Sequence, residues 1–144
     1  MYRAVLDPGV LIAALLARTG TPAQILLSWI GGGFELIVSP KLLNELRTAL
    51  LRPKFKRYVT ESEVGAYVTL LERRASMVVD PEPQPSLTPD PGDDYLIALA
   101  RAAAAHFLVS GDTHLTGLRR SQPPILTPRA FLSILDKGAG PGGS

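Results

Sequence analysis

The chain has 144 residues, of which 46% are apolar and 19% charged, a balance that builds one packed core and excludes a disordered or low-complexity polymer. It contains no cysteine, which excludes disulfides and thiolate metal centres and suits a reducing compartment, so a cytoplasmic protein is expected. The net charge of +2 leaves room for a polyanionic partner without demanding one, and no stretch approaches the roughly 20 unbroken apolar residues that a bilayer requires.

In chain order, Tyr2 to Leu6 reads as a strand. The apolar run behind it opens on Asp7-Pro8, where a signal peptide's apolar region would begin, and a charge there argues against one. Helices are expected at Val10 to Ala17 and Pro22 to Gly31, the second closed by the glycines of WIGGGF. Phe34 to Val38 is a second strand, and Ser39-Pro40 supplies an N-cap and a first-turn proline for a helix running to Leu51. Thr60 to Arg74 is helical and Ser76 to Val79 a strand. The proline-rich segment DPEPQPSLTPDPG, Asp80 to Gly92, is read as a surface loop within one domain. A helix at Asp93 to Ala105, strands at His106 to Val109 and Pro124 to Leu126, and a helix at Pro128 to Lys137 follow. Residues 1–137 are thus expected to form one domain, and 138–144, GAGPGGS, a disordered tail. Strands alternating with helices imply crossover units: an α/β fold with a mostly parallel sheet of about five strands and helices on both faces.

In such a sheet, residues that follow strands gather at one edge, the carboxyl ends, where open α/β folds place their sites. Asp7 follows the first strand and Asp112 follows HFLVSG, while Asp93 begins a helix that starts at the same edge. Glu45 borders the apolar stripe of Leu42, Leu43, Leu46, Ala49 and Leu50 in the first half of its helix, from which it can lean over that edge. Four converging carboxylates repel one another unless a cation joins them. Oxygen donors favour Mg²⁺ or Mn²⁺, and zinc is disfavoured with His106 and His114 the only histidines. Such an ion suits phosphodiester hydrolysis. Each acid also has a plainer role open to it: Asp7 as the N-cap before Pro8, Asp93 and Asp94 as complements to a helix dipole, Asp112 as a turn cap, Glu45 as a solvated residue.

The motifs VLDPGVLIAALL, SPKLLNELRTAL, DPGDDYLIALA and HFLVSGDTHL, in this order, resemble the PIN-domain family, to which the VapC-type toxin ribonucleases belong. The resemblance implies a three-layer α/β/α fold, a Mg²⁺- or Mn²⁺-dependent nuclease centre and RNA as substrate. It makes Asp7, Glu45, Asp93 and Asp112 the acidic residues that hold metal, with Asp94 and His114 as further candidates. It also implies a separate antitoxin protein as partner and a homodimer. The chain departs from the family's pattern at Pro8 and Gly9, where a Thr or Ser and then an Asn are common, and at His114, where another acid is frequent. Missing polar side chains beside the first carboxylate can cost ten- to a hundredfold in metal affinity or activity. The alternative to a nuclease is therefore a PIN-like protein that binds RNA or a partner protein without catalysis.

RPKFKRY sets Arg52, Lys54, Lys56 and Arg57 beside Phe55 and Tyr58, a composition that follows a phosphate backbone and stacks bases, or else a solubilising loop with its aromatics turned inward. Trp29 and Tyr67 are expected in the core or an interface, and Arg119-Arg120 on a solvated face near the cleft.

Overall fold

Strand β1 (Arg3–Leu6) is the centre of the molecule: Ala4, Val5 and Leu6 are at most 1% exposed, as a strand covered on both faces must be. In the computed structural model, which describes residues 1–82, 91–118 and 121–138 (91–94 by backbone), it pairs in parallel with β2 (Glu35–Val38) on one side and β4 (Phe107–Val109) on the other. β3 (Ser76–Met77) extends the sheet beyond β2, and β5 (Ile125–Leu126) beyond β4, giving the order β3-β2-β1-β4-β5 with every pairing parallel.

The connections are helical, as parallel pairing requires: α1 (Pro8–Leu16) and α2 (Thr21–Ile30) lead to β2, and α3 (Pro40–Leu50) and α4 (Glu61–Arg74) lead to β3. α5 (Pro91–Ala102) precedes β4, α6 (Thr113–Thr116) follows it, and α7 (Pro128–Asp136) closes the described chain. Right-handed crossovers put α1 to α4 on one face and α5, whose connection crosses the sheet the other way, on the opposite face against β1 and β4. Three layers result, as expected. Ile37, Leu46, Leu99, Leu108 and Phe131 are fully buried between them, and truncating one such leucine to alanine costs about 2–5 kcal/mol.

Local chemistry explains the boundaries. α1 starts at Pro8, two residues earlier than expected, because Asp7 caps it and proline needs no N–H at the first helical position. Ser39 Oγ accepts from Leu42 N–H at 3.2 Å and starts α3. Thr60 and Glu63 exchange side-chain bonds to each other's backbone, a capping box at the head of α4. The turn after α2 uses Gly32 at φ +85, and a Cβ on Gly33 would lie 2.2 Å from Ser28 Oγ, so the glycines of WIGGGF are the turn that the sequence suggests. Among the described residues no helix is long and apolar enough to cross a membrane. Residues 83–90 of the proline-rich segment, Arg119-Arg120 and 139–144 of the tail lie outside the described residues.

Candidate functional site

At the carboxyl edge β1 and β4 leave the sheet side by side, and the connections from their ends run in opposite directions, the topological switch point where α/β sheets open a crevice. Asp7 N–H still bonds Val109 O at 2.9 Å, so Asp7 is rigidly placed as the first residue beyond the ladder. Its Oδ1 accepts from Gly9 N–H at 2.9 Å and its Oδ2 from Ser110 Oγ at 2.7 Å. Ser110 is fully buried, and the same oxygen accepts from Asp112 N–H at 3.0 Å. One hydroxyl therefore fixes the carboxylate at the end of β1 against the backbone that carries Asp112 beyond β4. Asp112 Oδ1 accepts from His114 N–H at 2.8 Å and caps α6, so its plainer role as a cap is real too.

Glu45 comes to these two from α3. A cleft of about 510 Å³ is lined by Asp7, Glu45, Asp112, Thr48, Arg52 and Leu96, among others. Burial raises the Glu45 pKa above its ordinary value, Lys41 opposes that, and the charges of Asp7 and Asp80 add to the rise. None of the three carboxylates is in an ion pair with a described side chain. Of the other residues expected here, Asp93 and Asp94 sit in the first turn of α5 and their side chains lie outside the described residues. His114 is exposed and does not line the cleft. Arg52 lines it; Lys54, Lys56 and Arg57 stand outside, on and after a 3-10 turn at Pro53–Phe55. The two aromatics of that loop divide: Phe55 packs on the core, while Tyr58 is 62% exposed. Trp29 and Tyr67 are buried as expected, with Tyr67 Oη donating to Leu11 O at 2.7 Å.

A second polar network adjoins Glu45, and sequence reasoning missed it. Tyr95 Oη donates to Asp80 Oδ1 at 2.9 Å and shares a 2.5 Å hydrogen bond with the buried Ser39 Oγ, while Lys41 N–H donates to Asp80 Oδ2 at 3.0 Å. Burial alone would raise the Asp80 pKa, but the hydroxyls of Ser39 and Tyr95, the Lys41 N–H and the Lys41 charge outweigh it and hold the group below its ordinary 3.8. Lys41 Nζ lies 4.2 Å from the centre of the Tyr95 ring, a cation–π contact. Ser110 was findable, since it stands two residues before Asp112 in SGD at the end of a strand. Asp80 had no local signal.

The donor set is all oxygen, which fits a hard divalent cation better than zinc. Among the described residues no three acidic or histidine side chains close into a ready-made metal cage.

An α/β/α sandwich with carboxylates at its switch point is the arrangement seen here, and the chain matches the PIN domain family over residues 3–114; it belongs to that family. It is 25% identical over 145 residues to an uncharacterized protein, MJ1680, of Methanocaldococcus jannaschii, covering 94% of this chain and 92% of that one. Its fold is similar to that of PAE2754 from Pyrobaculum aerophilum (TM-score 0.68, 16% identity, 94% of this chain and 90% of that one). It is also similar to a chain of VapBC2 from Rickettsia felis, solved bound to a DNA fragment from their promoter (TM-score 0.59, 14% identity, 86% and 96%).

Proposed function

We propose that the protein is a Mg²⁺- or Mn²⁺-dependent endoribonuclease, the toxin of a toxin–antitoxin pair held in check by a separate antitoxin. The observation that carries this reading is the meeting of Asp7, Glu45 and Asp112, from three different elements, along one cleft with no ion pair to a described side chain. With Asp93 from the first turn of α5, they are the groups that would hold the ion. A bound divalent ion lowers the pKa of a water and neutralises charge on a phosphoryl oxygen. The chain's own part is orientation. Gly9 N–H and Ser110 Oγ–H each take one oxygen of Asp7, the duty that the polar side chains absent at positions 8 and 9 would share. Ser110 also ties that carboxylate to the segment bearing Asp112.

The antitoxin and a homodimer rest on the family resemblance, as does RNA as substrate; Arg52 lines the cleft, and Lys54, Lys56 and Arg57 follow it in the next five residues. Pro8-Gly9 favours the second reading, binding without catalysis. Purified protein free of any partner, incubated with mixed RNAs and Mn²⁺ or EDTA beside an Asp7→Asn/Asp93→Asn double variant, decides between them. Metal-dependent cleavage is expected from the parent, with at least a hundredfold loss in the double variant. Equal cleavage by both would place the chemistry elsewhere, and absence of cleavage by the parent would favour binding.

A further inference from the structure

We propose that α3 is the track on which a single strand of RNA lies, with Lys41 and Arg52 holding phosphates on the two sides of the carboxylates; this rests on the nuclease reading. Along α3, Leu42, Leu43, Leu46 and Leu50 are buried. Lys41, Glu45 and Thr48, spaced by four and three residues, share one side of α3, and Arg52, two residues beyond the end of the helix, lines the same cleft as Glu45 and Thr48. Cations thus stand before and after the carboxylate Glu45. At 1.5 Å of rise per residue the helix from Lys41 to Leu50 is about 14 Å long, a span of a few nucleotides.

Arg52 lines the cleft and Lys41 is an exposed residue resting over the Tyr95 ring, and neither is in an ion pair with a described side chain. Arg3 is the contrast: its guanidinium is ion-paired with Glu35 and bonded to Ala103 O. The ring beneath Lys41 is itself fixed by Ser39 and Asp80, so the exposed ammonium rests on an anchored ring, four residues before Glu45 on α3. The dimensions select the strand. A cleft of about 510 Å³ is the size that encloses a drug-sized molecule, hence a nucleotide or two. A flexible strand can lay one phosphodiester against the carboxylates there more readily than a duplex, whose backbones are held apart.

The test is binding of a short fluorescent single-stranded oligoribonucleotide in EDTA, titrated over roughly 50 to 200 mM salt, where each lost phosphate contact flattens the log–log slope by about 0.7. Lys41→Met and Arg52→Met are each expected to flatten it by about 0.7 and the double variant by about 1.4, whereas Lys41→Arg and the distant control Lys137→Met keep the parental slope. The same sequence as a duplex is expected to bind at least tenfold more weakly. A parental slope in both single variants, equal binding of the duplex, or a parent that binds no RNA would overturn the track. Cleavage with Mn²⁺ in the same samples separates the two readings: cleavage with unchanged slopes sinks the track alone, and flattened slopes without cleavage uphold the track and sink the nuclease.

Discussion

At the amino edge of the sheet Glu35 receives the Arg3 guanidinium on one oxygen and Ser76 Oγ, at 2.7 Å, on the other, and Arg3 Nη2 donates to Ala103 O at 2.8 Å. At the carboxyl edge Asp7 and Asp112 are held by N–H and O–H groups, Glu45 is half-buried near Asp7 and Asp80, and none of the three meets a cation at ion-pair distance among the described residues. Both edges are rich in buried or half-buried polar groups. The difference is that one balances its charge in an ion pair, while the other fixes its carboxylates in direction and gives them no ion pair among the described residues. Charge that is oriented but not ion-paired is what a site for a cation, or for a ligand carried by one, needs before it is filled.

The sharpest way to break this contrast is to remove one hydroxyl or one cation from each edge. Ser110→Ala leaves Asp7 Oδ2 and the Asp112 N–H without their shared partner, and is expected to lower stability by about 1–3 kcal/mol and to weaken Mn²⁺ binding at least tenfold. Arg3→Met, measured in the same way, is expected to lose about 1 kcal/mol, since its ion pair is one-third exposed, with Mn²⁺ binding unchanged. If Arg3→Met weakens the metal as much as Ser110→Ala does, the two edges do not differ in kind.

A smaller effect falls on Asp80. Its pKa is depressed in the folded state, so its hydrogen bonds add stability that is present above the unfolded value near 4 and is lost as pH falls through the folded one. Asp80→Asn is expected to cost less than about 1 kcal/mol at pH 7, because the site is partly solvated, and the gap from the parent should narrow as the pH falls below the unfolded value near 4. A gap that persists there would mean that Asp80 acts through packing. The smallest effect has the opposite sign. Glu45 has a raised pKa, so its ionisation penalises the fold as pH rises above the unfolded value. Glu45→Gln is expected to stabilise the metal-free protein at neutral pH by about 0.5 kcal/mol and to do nothing at pH 3; a destabilised variant would show that the carboxylate is already neutralised.

What could be read in advance followed from locality. The runs AVL, LIV and FLV are strands because they are apolar on both faces, and Ser39-Pro40 and Thr60 mark helix starts through side-chain bonds only three residues long. Asp7 and Asp112 could be placed on one edge by topology, and Glu45 beside them by the periodicity of its helix. The short helix α6 was missed because its four residues carry no periodicity and are set by the Asp112 cap. Asp80 was missed for a different reason: its partners lie 39 residues before it and 15 after it, and nothing in a run of prolines signals that contact. The network around Tyr95, and the cation held upon it, became visible only when three separated segments met.

The claim that the carboxyl edge is a metal site is tested most directly by anomalous diffraction from a crystal of the full chain soaked in Mn²⁺. The account predicts a peak between the carboxylates of Asp7, Glu45 and Asp112 that is absent from an Asp7→Asn crystal. A site without density there, or a peak that persists in the variant, would contradict it.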